Sequence, residues 1–112
     1  MTKNKIVLVP FPFDDFSSIK VRPAVCLTDP IGPHHHVILA FITSQLPDEP
    51  LFTDVVLLAD EPNFAFTGLR VSSTVRLHRL MTINTAMIQR VLGEIPPDIQ
   101  VQIRQKLNLM FS

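Results

Sequence analysis

The chain has 112 residues, 46% hydrophobic and 18% charged, with ten basic and ten acidic side chains that cancel to a net charge of zero. That length supports one domain, here residues 1–112, and the apolar fraction excludes intrinsic disorder. The apolar runs are far shorter than the about twenty residues a membrane helix needs, so no membrane association is expected.

The basic start Met1-Thr2-Lys3-Asn4-Lys5 is followed by Ile6-Val7-Leu8-Val9, a β-branched run that predicts a first strand ended by Pro10-Phe11-Pro12. Prolines and Asp14 so soon after the basic start do not make a signal peptide. Residues 13–20, with Asp14, Asp15, Ser17 and Ser18, read as a loop. A second strand is predicted over residues 23–28, and Asp29-Pro30-Ile31-Gly32-Pro33 is a turn into a third over 37–42. Residues 53–58 fit another short strand. Gly68 breaks the chain before 69–75, and the pattern allows one more strand over 76–81. Asn84 then predicts the N-cap of a short helix with Met87, Ile88, Val91 and Leu92 on one face and Gly93 at its end. Pro96-Pro97 opens a final helix in which Ile99, Ile103, Leu107 and Met110 recur at helical spacing. Strands first and helices last imply a mostly β, α+β domain whose sheet curls into a small barrel, with the amphipathic C-terminal helix over one side.

Charge is segregated along the chain. Lys3, Lys5, Lys20 and Arg22 precede a stretch, residues 23–69, with no Lys or Arg but with Asp29, Asp48, Glu49, Asp54, Asp60 and Glu61. Arg70, Arg76, Arg79, Arg90, Arg104 and Lys106 follow, opposed only by Glu94 and Asp98. A neutral protein can therefore carry a local basic face, although Arg90, Arg104 and Lys106 are expected on solvated helix surfaces. Cys26 is the only cysteine. No internal disulfide can form, and a reducing, cytoplasmic compartment is expected.

Several chemistries lack their residues. Gly32, Gly68 and Gly93 are too far apart for a phosphate-binding loop, and no carboxylate set resembles a two-metal centre, since Asp14-Asp15 is an isolated pair. His34-His35-His36 would point in alternate directions on an extended chain, so no metal site is expected there. Cys26 lies in an apolar strand as core filler. His78 is either a satisfied sheet histidine or a base near a site. Two pairings are more informative. Pro23 biases Arg22 toward extended geometry and so aims a guanidinium suited to phosphate oxygens. Thr43-Ser44-Gln45 places three hydrogen-bonding side chains directly after an apolar strand, where they serve either as a turn or cap or as a ligand-binding edge.

In order along the chain stand Ile6-Val7-Leu8-Val9-Pro10-Phe11-Pro12-Phe13, Arg22-Pro23-Ala24-Val25-Cys26-Leu27-Thr28, Ala40-Phe41-Ile42-Thr43-Ser44-Gln45, and a block from Gly68-Leu69 through Ile88 to Leu92-Gly93-Glu94-Ile95. Together they resemble the MazF/PemK family of growth-inhibiting toxins. The resemblance implies an SH3-like β-barrel of the CcdB/PemK/MazF type. It also implies a homodimer, a cognate antitoxin as partner, and a sequence-selective endoribonuclease acting on single-stranded RNA. The family's active-site arginine falls on Arg22 and its threonine on Thr43, with Ser44 beside it. Lys20, Gln45, Arg70, Arg76, His78 and Arg79 are the candidates for holding RNA. Where the family usually has Gly-Asp before the first strand, this chain has Asn4-Lys5, and residues 13–20 make a shorter loop than in several relatives.

RNA carries its own nucleophile, the 2′-hydroxyl. No metal or cofactor is then required, only alignment, charge stabilisation and protonation of the leaving 5′-oxygen. The alternatives are a toxin of the same fold that poisons a protein such as DNA gyrase without cutting RNA, as CcdB-like toxins do, and a noncatalytic regulatory module.

Overall fold

Alternation of apolar residues at period two, with both parities apolar, requires a sheet covered on both faces. The computed structural model describes residues 1–15 and 18–112, with side chains outside residues 12–19, and shows that sheet. Its strands are β1 (Lys5–Asp15), β2 (Ser18–Cys26), β3 (His36–Thr43), β4 (Asp54–Leu57), β5 (Ser73–Asn84) and β6 (Arg90–Glu94), followed by helix α1 (Pro97–Met110). The spatial order is β4-β5-β3-β2-β1-β6, and every neighbouring pair is antiparallel. The sheet curls into a half-barrel. Ile6, Val25, Ala40, Ile42, Val75 and Leu77 build one core, which Ile95 and the α1 residue Ile103 complete. The opposite parity, Val7, Val9, Ala24, Cys26, Leu39 and Phe41, builds the second. No helix among the described residues is long and apolar enough to cross a membrane.

The expected mostly β class with a C-terminal helix holds, and four local readings are corrected. The first strand does not end at Pro10. Leu8 accepts a bond at its carbonyl from Gln89 N (2.9 Å), so even-numbered residues of β1 turn their backbone polar groups toward β6. Pairing with β6 stops at Leu8↔Arg90, and Pro10 therefore meets an open edge where its missing N–H costs no ladder bond. The predicted loop over 13–20 is largely strand, with Asp15 paired to Ser18; Phe16 and Ser17 lie outside the described residues.

The helix predicted from Asn84 to Gly93 is instead a single 3-10 turn, Thr85–Met87, followed by β6. Asn84 does cap it, with Oδ1 accepting from Ala86 N at 2.8 Å. The apolar residues that suggested one face are split: Ile88 joins the second core, Leu92 the first, and Met87 and Val91 are exposed. Arg90 is accordingly on an edge strand, and Lys106, expected on a solvated surface, donates to the Asp54 carbonyl at 2.7 Å. Finally, residues 73–84 are one strand. Ala40 and Phe41 of β3 pair with Leu80 and Arg76, so Leu77, His78 and Arg79 are inserted as a bulge that bends β5.

Candidate functional site

Where the chain must lose its ladder, a cleft opens. The bond from Leu27 N to Ile38 O (2.8 Å) shows that odd-numbered residues of β2 face β3, which places the nitrogen of Pro23 on that side. Proline has no N–H to give. The β2–β3 pairing accordingly ends at Ala24↔Phe41, while β2 stays paired with β1 in unbroken register as far as Phe11↔Lys20 and again at Asp15↔Ser18. The two strand ends part around a cavity of about 620 Å³.

Seven of the nine residues singled out from the sequence line this cavity: Arg22, Thr43, Ser44, Gln45, Arg70, Arg76 and Arg79. Arg22 comes from the first basic stretch and the other arginines from the second, so folding joins the two across the acidic middle. Lys20 is exposed on β2 outside the cavity, and so is His78 on the β5 bulge, where its Nδ1 lies 2.9 Å from Thr53 Oγ1. That histidine is thus engaged by Thr53, the residue directly before β4. His34, His35 and His36 are exposed at the β2–β3 turn, far along the strands from Pro23.

Thr43 ends β3, and its Oγ1 accepts from Gln45 N at 3.2 Å. Thr74 stands opposite Thr43 in the ladder, is fully buried, and donates its hydroxyl to the Gln45 carbonyl at 3.0 Å. The 43–45 turn is thus held at both its N–H and its C=O. Sequence reasoning missed Thr74, because only the strand register brings it to the turn. It also missed the aromatic floor, where Phe11 and Phe41 meet edge to face at 4.7 Å with the Arg79 guanidinium 5.5 Å from the Phe11 centroid.

Asp54 is the third omission. Its carboxylate is wholly buried, with Oδ1 2.8 Å from Arg76 Nε in an ionic contact off the hydrogen-bond line, and Oδ2 accepts from Leu51 N at 2.9 Å. Asp54 had registered only as part of an acidic stretch. Cys26, on the second core, is fully buried, and burial pushes its thiol up to about 11. It is a thiol, not a thiolate, at neutral pH, as core filler should be. Among the described residues no three His, Cys, Asp or Glu side chains are grouped to hold a metal ion.

A Deinococcus radiodurans MazE–MazF crystal structure is similar to this chain with a TM-score of 0.75 and 22% identity, covering 99% of this chain and 95% of that one. The Mycobacterium tuberculosis toxin MazF-mt6 gives 0.71 and 22%, over 96% and 95%. An endoribonuclease in complex with its cognate antitoxin, from a mycobacterial species, gives 0.73 and 13%, over 99% and 94%. No curated protein matches in sequence. At these identities the structures speak for the fold alone, a curled antiparallel sheet with a C-terminal helix. The sequence itself matches the PemK-like, MazF-like toxins of type II toxin–antitoxin systems over residues 2–111, from β1 through α1, and the chain belongs to that family.

Proposed function

We propose that the protein is the toxin of a toxin–antitoxin pair and acts as a metal-independent, sequence-selective endoribonuclease on single-stranded RNA. The observation that carries this reading is the meeting of Arg22 and Thr43 on one cleft that three further arginines also line. The RNA 2′-hydroxyl attacks the adjacent phosphorus, the P–O5′ bond breaks, and the products are a 2′,3′-cyclic phosphate and a 5′-hydroxyl. The negative charge that builds on the phosphorane oxygens needs planar, multiple donors, which a guanidinium supplies. Arg22 takes that role, while the Thr43 and Ser44 hydroxyls hold a nonbridging oxygen. A guanidinium carries donors and no acceptor, so Arg22 does not take the 2′ proton and acts on the building charge and on the leaving oxygen. Gln45, Arg70, Arg76 and Arg79 hold the strand along the cleft. DNA, without the 2′-hydroxyl, is spared.

The test is incubation of the purified protein with long single-stranded RNA in excess EDTA. Cleavage is expected to persist, and the downstream fragment should be phosphorylated by a 5′-kinase without prior phosphatase treatment. Intact RNA, or cleavage only on addition of magnesium, would overturn the mechanism.

A further inference from the structure

The arginines of the cleft differ in how their charge is balanced. Arg76 lies 2.8 Å from the Asp54 carboxylate, whose side chain is 0% exposed while that of Arg76 is 30% exposed. Among the described residues no carboxylate approaches Arg70 or Arg79 in this way, and Arg79 rests on the Phe11 ring. A buried ion pair adds little net stability, because removing both charges from water costs about as much as their attraction returns. What it does provide is direction. Asp54 is itself tied down, with Leu51 N on its second carboxylate oxygen and Lys106 of α1 on its carbonyl. Because the contact is made through Nε, and no hydrogen bond to the two terminal nitrogens is found among the described residues, these stand as a planar pair of donors on a side chain that lines the cleft.

A charge-balanced guanidinium is a poor grip for phosphate, since that attraction comes from net charge and the release of counterions. It is well suited to a neutral base edge that presents acceptors, as guanine does with the adjacent O6 and N7 and uracil does with O4. Adenine and cytosine present an amino group at the corresponding position, which a donor-only fork opposes. We infer that Asp54 and Arg76 form a specificity pair that reads a keto-bearing base, guanine or uracil, of the bound RNA, whereas Arg70 and Arg79 grip phosphates. This inference rests on the proposed endoribonuclease activity. Arg76 is the reading residue, and Asp54 positions it.

The experiment combines two readouts on wild type, Arg76→Lys, Asp54→Asn and Arg70→Ala, each checked for folding by thermal melt. One sequences the cut sites in an RNA pool of random sequence. The other measures binding of a non-cleavable 2′-O-methyl oligonucleotide across a range of salt. Wild type is expected to prefer guanine or uracil about tenfold at one position of the cut site. Arg76→Lys keeps the charge that balances Asp54 but loses the fork, so the preference should vanish while the slope of log affinity against log salt is unchanged. Asp54→Asn should also lose the preference, and it should steepen the slope by about 0.7, because the arginine charge is then unbalanced and free to act on phosphate. Arg70→Ala should keep the preference and flatten the slope by about 0.7. A folded Arg76→Lys that retains the wild-type preference would overturn the inference, and this arm decides alone if Asp54→Asn does not fold. An active wild type with no keto preference would overturn the pair's role and leave the activity standing. A wild type that neither binds nor cuts RNA would overturn the endoribonuclease reading and the specificity pair with it.

Discussion

Arg22 is half-buried at the point where β2 leaves β3, and the proposed chemistry asks it for planar charge stabilisation. Arg22→Ala should therefore lower single-turnover cleavage by on the order of a hundredfold to a thousandfold, and Arg22→Lys by an intermediate factor. Thr43→Ala should lower the rate more than it lowers RNA affinity, and Arg70→Ala and Arg79→Ala should do the reverse, measured at one salt concentration. A folded Arg22→Ala that cuts at the wild-type rate would show that the site is wrongly assigned. Cys26 makes a separate prediction about stability. Its thiol is raised from 9.0 to about 11 in the folded protein, so the neutral form is favoured by folding. The resulting stability is complete below pH 9 and is lost as pH rises toward 11, on the order of 2 kcal/mol by linkage. The measurement is the difference in unfolding free energy between wild type and Cys26→Ala, which should shrink over that window. Arg22 and Thr43 could be found from local signals, a following proline and a polar step after an apolar strand. Thr74 and Asp54 could not, because their partners Gln45 and Arg76 are distant in sequence and are reached only through the register of β5 against β3 and β4. Asn4, where the family usually has glycine, was visible as a departure but not as a conformation. Its φ of 71° lies in the left-handed region that glycine adopts freely and asparagine tolerates best among the others.

At the scale of elements, strand β6 is held by a contact that only glycine permits. A Cβ on Gly93 would run into the Phe66 and Thr67 backbone of the neighbouring 3-10 turn, Phe64–Thr67, and one on Gly68 would meet the Leu92 carbonyl. Gly93→Ala should cost about 2–3 kcal/mol, as forced overpacking does, and lower the melting temperature by on the order of 10 °C. An unchanged melt would mean that β6 and the turn can separate freely. Gly93 had suggested a helix end, and the error has a physical source: glycine marks a helix C-terminus and a close backbone approach equally well. Only the partner segment, some twenty-five residues earlier, decides between them. The C-terminal helix was legible because its signals are all local: proline in the first turn, and Ile99, Ile103, Leu107 and Met110 at the spacing that packs against the first core.

For the whole molecule, exposed apolar side chains are the feature that a solitary domain leaves unexplained. Phe66, Val91 and Met87 lie on and around β6, and Leu109 and Phe111 end the chain, each at least 41% exposed. Large apolar side chains left in water favour self-association. Light scattering at micromolar concentration should give twice the 12.6 kDa chain mass, and a monomer would count against the homodimer. The same preparation should bind an acidic, disordered antitoxin segment in competition with RNA, more weakly as salt is raised. Pro23 bears on what that competition costs. The gap beside it follows from a covalent ring that replaces a hydrogen atom, and no change of solvent, partner or temperature can restore the missing donor. A ladder bond at that position is therefore closed to the chain, and a ligand entering the gap has none to break there. RNA and an antitoxin segment are then expected to compete for a cleft that is already open, with no ladder bond at Pro23 to break first.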